Sequence, residues 1–240
     1  TAESIKTTID TVLSLDPDRL ALYHYAHLPH IFKPQRRIDT DAVPGSEEKL
    51  DMLQYCVQTL TCRGYVFIGM DHFAKPDDEL SVALREGLLQ RNFQGYSTYA
   101  DCDLVAIGVS SIGKIGSTYS QNERNIDDYY AAIDAGHLPV MRGYQLNQDD
   151  LLRRTVIQDL MCRFALDYRA YESVFGIPFG HYFKEELADL QQLAELGLVR
   201  LSSHGLKVTP KGRFLIRNIA MVFDYHLRHK ETKAKYSQTV

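Results

Sequence analysis

Residues 2 to 70 switch twice from helical to strand periodicity, and each strand segment runs out into a cluster of protonatable groups. Ile5, Ile9, Val12 and Leu13 recur at helical spacing, which predicts an amphipathic helix over 2–15. Asp16-Pro17-Asp18 stops it, and Arg19 to Tyr25, RLALYHY, reads as a strand. Its apolar and aromatic content suits a sheet buried on both faces. A long loop follows, with Pro29, Pro34 and a polar stretch from Arg36 to Gly45. Ser46 is placed to cap a second helix, with Glu47 and Glu48 in its first turn. Leu50, Leu53, Val57 and Leu60 would be its buried stripe, and Gly64 falls at the C′ position. Tyr65 to Met70, YVFIGM, reads as a second strand. This alternation is that of an α/β fold with a parallel sheet or barrel. Such folds place chemistry at the C-terminal ends of their strands. Those ends here read Tyr23-His24-Tyr25-Ala26-His27 and Gly69-Met70-Asp71-His72.

The middle of the chain is different in kind. Residues 91–122 are dense in Gly, Ser, Tyr and Thr, and Gly108, Gly113 and Gly116 punctuate an apolar run. Such glycines serve either a close approach of backbone to a ligand or plain hairpin geometry. From Asn147, a capping residue, the pattern becomes helical: Leu152, Val156 and Leu160 line one face, and Leu187, Leu190 and Ala194 mark another helix. Leu198–Leu201 and Leu206–Thr209 flank a Ser202-Ser203-His204-Gly205 turn, and Thr209-Pro210 opens a last helix with Leu215, Ile219 and Val222 inside. Helix, hairpin, helix is a winged-helix-like order. We therefore expect two domains, 1–144 and 145–240, the second mostly helical.

Bulk properties narrow the function. The net charge is −4, and apart from a mild basic cluster between Arg217 and Lys235 the cations are scattered, which argues against a dedicated nucleic-acid binder. No apolar run approaches the ~20 residues of a membrane span, and no signal peptide opens the chain. Cys56, Cys62, Cys102 and Cys162 fit neither a zinc pair nor a disulfide scaffold and read as reduced thiols of a cytosolic protein. The chain opens on Thr1, almost directly in a helix, so further polypeptide upstream is expected.

Among candidate groups, Asp71 and His72 adjoin at a strand end. In an extended strand they face opposite ways and are not an acid–base pair with each other. One of them can face the barrel mouth, or both can be satisfied in a loop. His24, His27, His30 and His72 would need an unusual loop geometry to converge, so no metal site is expected. Asp77-Asp78-Glu79 reads as a solvated helix start.

Three stretches, Tyr25–Pro29 (YAHLP), Gly69–Leu80 (GMDHFAKPDDEL) and Arg91–Thr98 (RNFQGYST), closely resemble the oxygen-independent coproporphyrinogen III oxidase family. Gly108–Gly116 (GVSSIGKIG) and Arg213–Ile219 (RFLIRNI) continue the resemblance in the same order, over essentially the whole chain. It implies a radical SAM fold: the last strands of a partial barrel, followed by a helical domain with a winged-helix-like hairpin. The implied activity converts coproporphyrinogen III to protoporphyrinogen IX in heme biosynthesis. A [4Fe-4S] cluster cleaves S-adenosylmethionine, an electron donor is needed, and no nucleic acid or membrane partner is implied. Carried over residue by residue, Ala26 and Ile112 match positions lining a S-adenosylmethionine site, and Phe93 and Gln94 match the active-site wall. The family's CxxxCxxC cluster motif has no counterpart here, and Thr1 matches a threonine just after the fourth barrel strand. The resemblance thus implies an incomplete enzyme, inactive alone, located in the cytoplasm, and a monomer at full length. A heme-binding chaperone branch shares the fold but carries a Trp-containing motif. This chain has no Trp and has RNFQGY instead, which favours the oxidase branch. A winged-helix binding module is the remaining alternative.

Overall fold

The first helix, α1 (Ala2–Ser14), starts where Thr1 and Ser4 exchange side-chain to backbone bonds in a capping box. The computed structural model describes residues 1–100 and 102–229; Lys230, Lys233 and Lys235 of the basic cluster lie outside them. The strand expected over 19–25 is only β1 (Arg19–Ala21). At Leu22 the chain leaves the ladder, and its N–H bonds Asp71 O at 2.7 Å. The second helix, α2 (Ser46–Cys62), has Gly45 rather than Ser46 at its N-cap, with no side-chain cap. Its other end follows expectation. Gly64 takes φ +91°, and its N–H bonds Thr61 O while Tyr65 N–H bonds Leu60 O, each at 3.0 Å. These two bonds make a Schellman closure.

The next segments are β2 (Val66–Gly69) and β3 (His72–Ala74). Strand order is β1-β3-β2, with β3 antiparallel to both neighbours. The expected direct parallel pairing is therefore not what forms. β1 and β2 do run the same way, but β3 lies between them. The reason is a chain reversal at Met70-Asp71, where Met70 adopts φ +52°. It turns Phe73 and Ala74 back into the sheet, and both are buried.

Further along come α3 (Glu79–Glu86), hairpin β4 (Gln90–Asn92) with β5 (Gly95–Ser97), hairpin β6 (Ile112–Ile115) with β7 (Thr118–Asn122), α4 (Ile126–Asp134) and β8 (Val140–Gln145), which joins β7. The glycine-rich stretch is thus built as hairpins. Asp78 is not simply solvated: it caps α3 on Leu80 N–H and takes Arg19 Nε at 2.6 Å.

The C-terminal part runs α5 (Gln148–Arg163), β9 (Ala165–Asp167), α6 (Tyr168–Phe175), α7 (Phe179–Tyr182), α8 (Lys184–Glu195), β10 (Val199–Leu201) and β11 (Gly205–Val208). Its sheet order is β10-β11-β9, all antiparallel, and the element order is helix, strand, three helices, hairpin, that of a winged helix with a short extra helical turn, α7. Leu152, Val156 and Leu160 are buried, as their spacing predicts. The single last helix expected from Pro210 is instead three short ones: α9 (Pro210–Arg213), α10 (Ile216–Met221) and α11 (Tyr225–Arg228). Among the described residues no helix is long and apolar enough to cross a membrane.

Two cores meet at the β2–β3 hairpin. Ile9, Cys56, Leu60, Tyr65 and Phe73 form a small one under α1 and α2. Ile68 and Ala74 instead join the large core that runs through α5 and α8 to Phe223. Strand alternation sends successive side chains to opposite faces, so one short hairpin serves both.

Candidate functional site

The chain leaving β1, the β2–β3 turn and α10 enclose a cavity of about 660 Å³. One wall is Leu22 to Leu28, another is Met70 and Asp71, and the floor is Phe214 to Asn218. Lys49 and Leu53 of α2 close the side. The C-terminal ends of β1 and β2 therefore open into it, as expected of this fold class. A second hollow of about 510 Å³ shares Leu22 to Tyr25 and reaches Ile5, Met52 and Cys56.

Asp71 and His72 do interact: His72 Nδ1 lies 3.0 Å from Asp71 Oδ1. The expectation of opposite faces fails because Asp71 sits in the turn rather than in the strand. Burial alone would raise the Asp71 pKa. The hydrogen bond and charge of His72, with the field of Arg217, outweigh it and hold the carboxyl below its ordinary value. His24 is shifted down too, first by burial and then by Lys49, against a smaller opposing pull from Asp71. It therefore stays neutral in the physiological range.

The other cavity groups are held by residues that sequence reading passed over. Gln35, six residues beyond the YAHLP stretch, clamps its backbone: Nε2 donates to Ala26 O at 3.1 Å and Oε1 accepts from Leu28 N–H at 2.5 Å. Arg213 reaches across from α9, donating to Phe67 O at 2.8 Å and Ile68 O at 3.3 Å. Its guanidinium lies 4.2 Å from the Phe164 ring centroid. Tyr96 packs edge-on to His72 with centroids 5.2 Å apart and donates to Met161 O at 2.9 Å. For Arg213 the available signal was its place in the apolar run RFLIRNI, because a cation among buried residues must find partners.

Of the four residues singled out by resemblance, only Ala26 lines this cavity. Phe93 and Gln94 are the two turn residues between β4 and β5. Phe93 is exposed and meets Tyr119 of β7 edge-on at 5.4 Å, and Gln94 N–H donates to Asn92 Oδ1 at 2.8 Å. Ile112 opens β6, paired with Gln121. Phe93 thus contacts the hairpin that carries Ile112, while Ala26 stands apart from both. Among the described residues no group of His, Cys, Asp and Glu is arranged to hold a metal ion. Cys56 and Cys162 are buried and Cys62 and Cys102 exposed, all as free thiols.

Comparison with known proteins fixes the family. Residues 146–215 match the HemN C-terminal domain. An oxygen-independent coproporphyrinogen III oxidase of Thermostichus vulcanus is 47% identical over 231 residues, 96% of this chain and 71% of that protein. The chain belongs to the oxygen-independent coproporphyrinogen III oxidase family. The Pseudomonas aeruginosa oxidase is 50% identical over 95% of this chain and 49% of its own length. The solved structure of coproporphyrinogen III oxidase (HemN) from Escherichia coli, a radical SAM enzyme, superposes with a TM-score of 0.91 at 50% identity, over 95% of this chain and 52% of that one. The chain spans about half the length of most of the oxidases it matches.

Proposed function

We propose that this chain forms the substrate-side part of the catalytic chamber of an oxygen-independent coproporphyrinogen III oxidase, which oxidatively decarboxylates coproporphyrinogen III to protoporphyrinogen IX. The observation that carries this is the cavity at the C-terminal ends of β1 and β2, with Ala26 in its wall, on a chain half identical to oxidases of that name. Ala26 suits an apolar contact with the adenosine of S-adenosylmethionine: it is small and exposed, and Gln35 fixes its backbone. Ile112 is assigned a second such contact, and Phe93 and Gln94 the wall nearest the substrate. S-adenosylmethionine supplies, in this chemistry, the radical that removes hydrogen from a propionate.

The residues present do not fit a [4Fe-4S] cluster. Such clusters need several converging thiolates, and two of the four cysteines are buried in separate cores while two are at the surface. We therefore assign radical generation, and docking of the electron donor, to polypeptide outside these 240 residues. A cytoplasmic location, a monomeric full-length enzyme and a division at residues 144/145 belong to the same proposal. The test is an anaerobic assay of this chain with S-adenosylmethionine, reductant and coproporphyrinogen III after iron and sulfide reconstitution. We expect no vinyl product and no cluster absorbance. Turnover by this chain alone would overturn the division of labour.

A further inference from the structure

We propose that Lys49 and Arg217 form a two-point carboxylate receptor in the 660 Å³ cavity, selecting a ligand that carries several carboxylates. The proposal deepens the functional reading above and rests on it for the identity of that ligand. Among the cavity-lining residues Lys49 and Arg217 are the cations and Asp71 the only carboxylate. Asp71 is already engaged by His72 at 3.0 Å. Among the described residues neither Lys49 nor Arg217 makes an ion pair. They come from α2 and α10, separate elements that happen to face one hollow. Asp71 feels the field of Arg217 but makes no ion pair with either cation, so both head groups remain available to an anionic guest in the cavity.

A second observation points the same way. His27 lines the same cavity, and both its ring nitrogens are shielded from solvent with no hydrogen-bond partner. An imidazole always carries at least one N–H donor. Leaving that donor unmet in a buried setting is unfavourable, and a turn of the ring toward a carboxylate in the cavity would satisfy it. His24 stays neutral and adds no competing charge. The cavity therefore has two cationic anchors and one orphaned donor, and its one carboxylate, Asp71, is hydrogen-bonded to His72 rather than to either cation.

The probe is coproporphyrin III, a stable oxidised tetracarboxylate, titrated into this chain by fluorescence and compared with its tetramethyl ester. Binding of the free acid, weakened about tenfold or more by R217Q and by K49Q and partly restored in R217K, is the expected result, with ester binding unaffected by any of the three. Arg217 is exposed, so R217Q leaves the packing untouched. Equal affinity for acid and ester, or an R217Q variant that binds the acid as well as the parent does, overturns the receptor while leaving a porphyrin site standing. If neither porphyrin binds but citrate still binds in an Arg217-dependent way, the receptor stands and the porphyrin reading falls. Failure of all three ligands overturns both.

Discussion

Gly69→Ala offers the sharpest test of how the cavity wall is built. A Cβ at Gly69 would lie 2.5 Å from Tyr96 Oη and 3.0 Å from Phe164 Cζ. Tyr96 cannot simply swing aside, because its hydroxyl donates to Met161 O at 2.9 Å. The backbone adds a second penalty, since Gly69 has φ +156°. Overpacking of this kind costs about 1–3 kcal/mol, and a backbone conformation that side chains rarely adopt about 1–3 kcal/mol more. We expect a loss near 3–4 kcal/mol. With a urea m-value of roughly 3 kcal/mol/M for a chain of this size, the midpoint falls by about 1 M. Tyr96→Phe alone gives up one hydrogen bond, about 1 kcal/mol. In the double variant the nearest Tyr96 atom recedes to the ring carbon at 3.2 Å. The two losses should then fall short of adding by about 1–2 kcal/mol, read from a four-way cycle of urea melts. Strict additivity would show that the Oη contact is not the source of the cost. An unchanged midpoint in Gly69→Ala would refute the close approach altogether.

Thiol titration at pH 8 should find Cys62 and Cys102 reacting at once and Cys56 and Cys162 only after denaturation. Burial shields that second pair and raises both pKa values, Cys162 to about 12. Glu186→Gln breaks a buried pair with Arg153 at 2.8 Å. Asp149 remains bonded to Arg153, so we expect about 2–3 kcal/mol of destabilisation in a denaturant melt rather than the ~3–5 of a fully orphaned charge. Asp71 has a depressed pKa in the folded state. Its contribution is therefore present above the unfolded carboxyl value of about 3.9 and lost as pH falls through the folded one. Urea melts should show the parent ahead of Asp71→Asn at pH 6, with the gap narrowing toward pH 3; a constant gap would rule the linkage out.

What could be read from sequence depended on how many residues carried each signal. The stripe of Leu152, Val156 and Leu160 repeats over several turns, and it sits in the core as its period demands. Gly64 marked its helix end because only a residue without Cβ enters φ +91° freely. By contrast β3 has three residues, His72 to Ala74, too few for a period of two to show. Missing it also misplaced Asp71: read as strand it opposes His72, read as turn it bonds it. The final helical stretch fits one period from Pro210 onward, yet it breaks at Leu215, which takes φ −113° as Arg213 turns back toward β2. That break is a tertiary demand with no local trace. Gln35 was hidden in another way. It acts on a backbone seven residues earlier through a loop whose path composition does not reveal.

The same contacts explain why a winged-helix-like unit should be attached to the cavity. α8, the helix such a unit would offer to a nucleic acid, exposes Glu185 and Glu195, pairs Asp189 with Arg228 and turns Glu186 inward onto Arg153. The other side of the unit is occupied in holding the site. Arg213 bonds the carbonyls of Phe67 and Ile68, just ahead of the Gly69–Asp71 turn. Tyr96 is tied to Met161 and Gln158 to Arg91 O, fastening the β4–β5 hairpin to α5. On the cavity side, Leu22 N–H holds Asp71 O at 2.7 Å. The turn that forms one wall is therefore gripped from both directions, and α10 of the same unit supplies the floor with Arg217. A substitution deep in this unit, such as at Arg213, should act on the cavity by loosening its wall, so that its effect travels through Gly69 and Asp71 although Arg213 itself does not line the cavity.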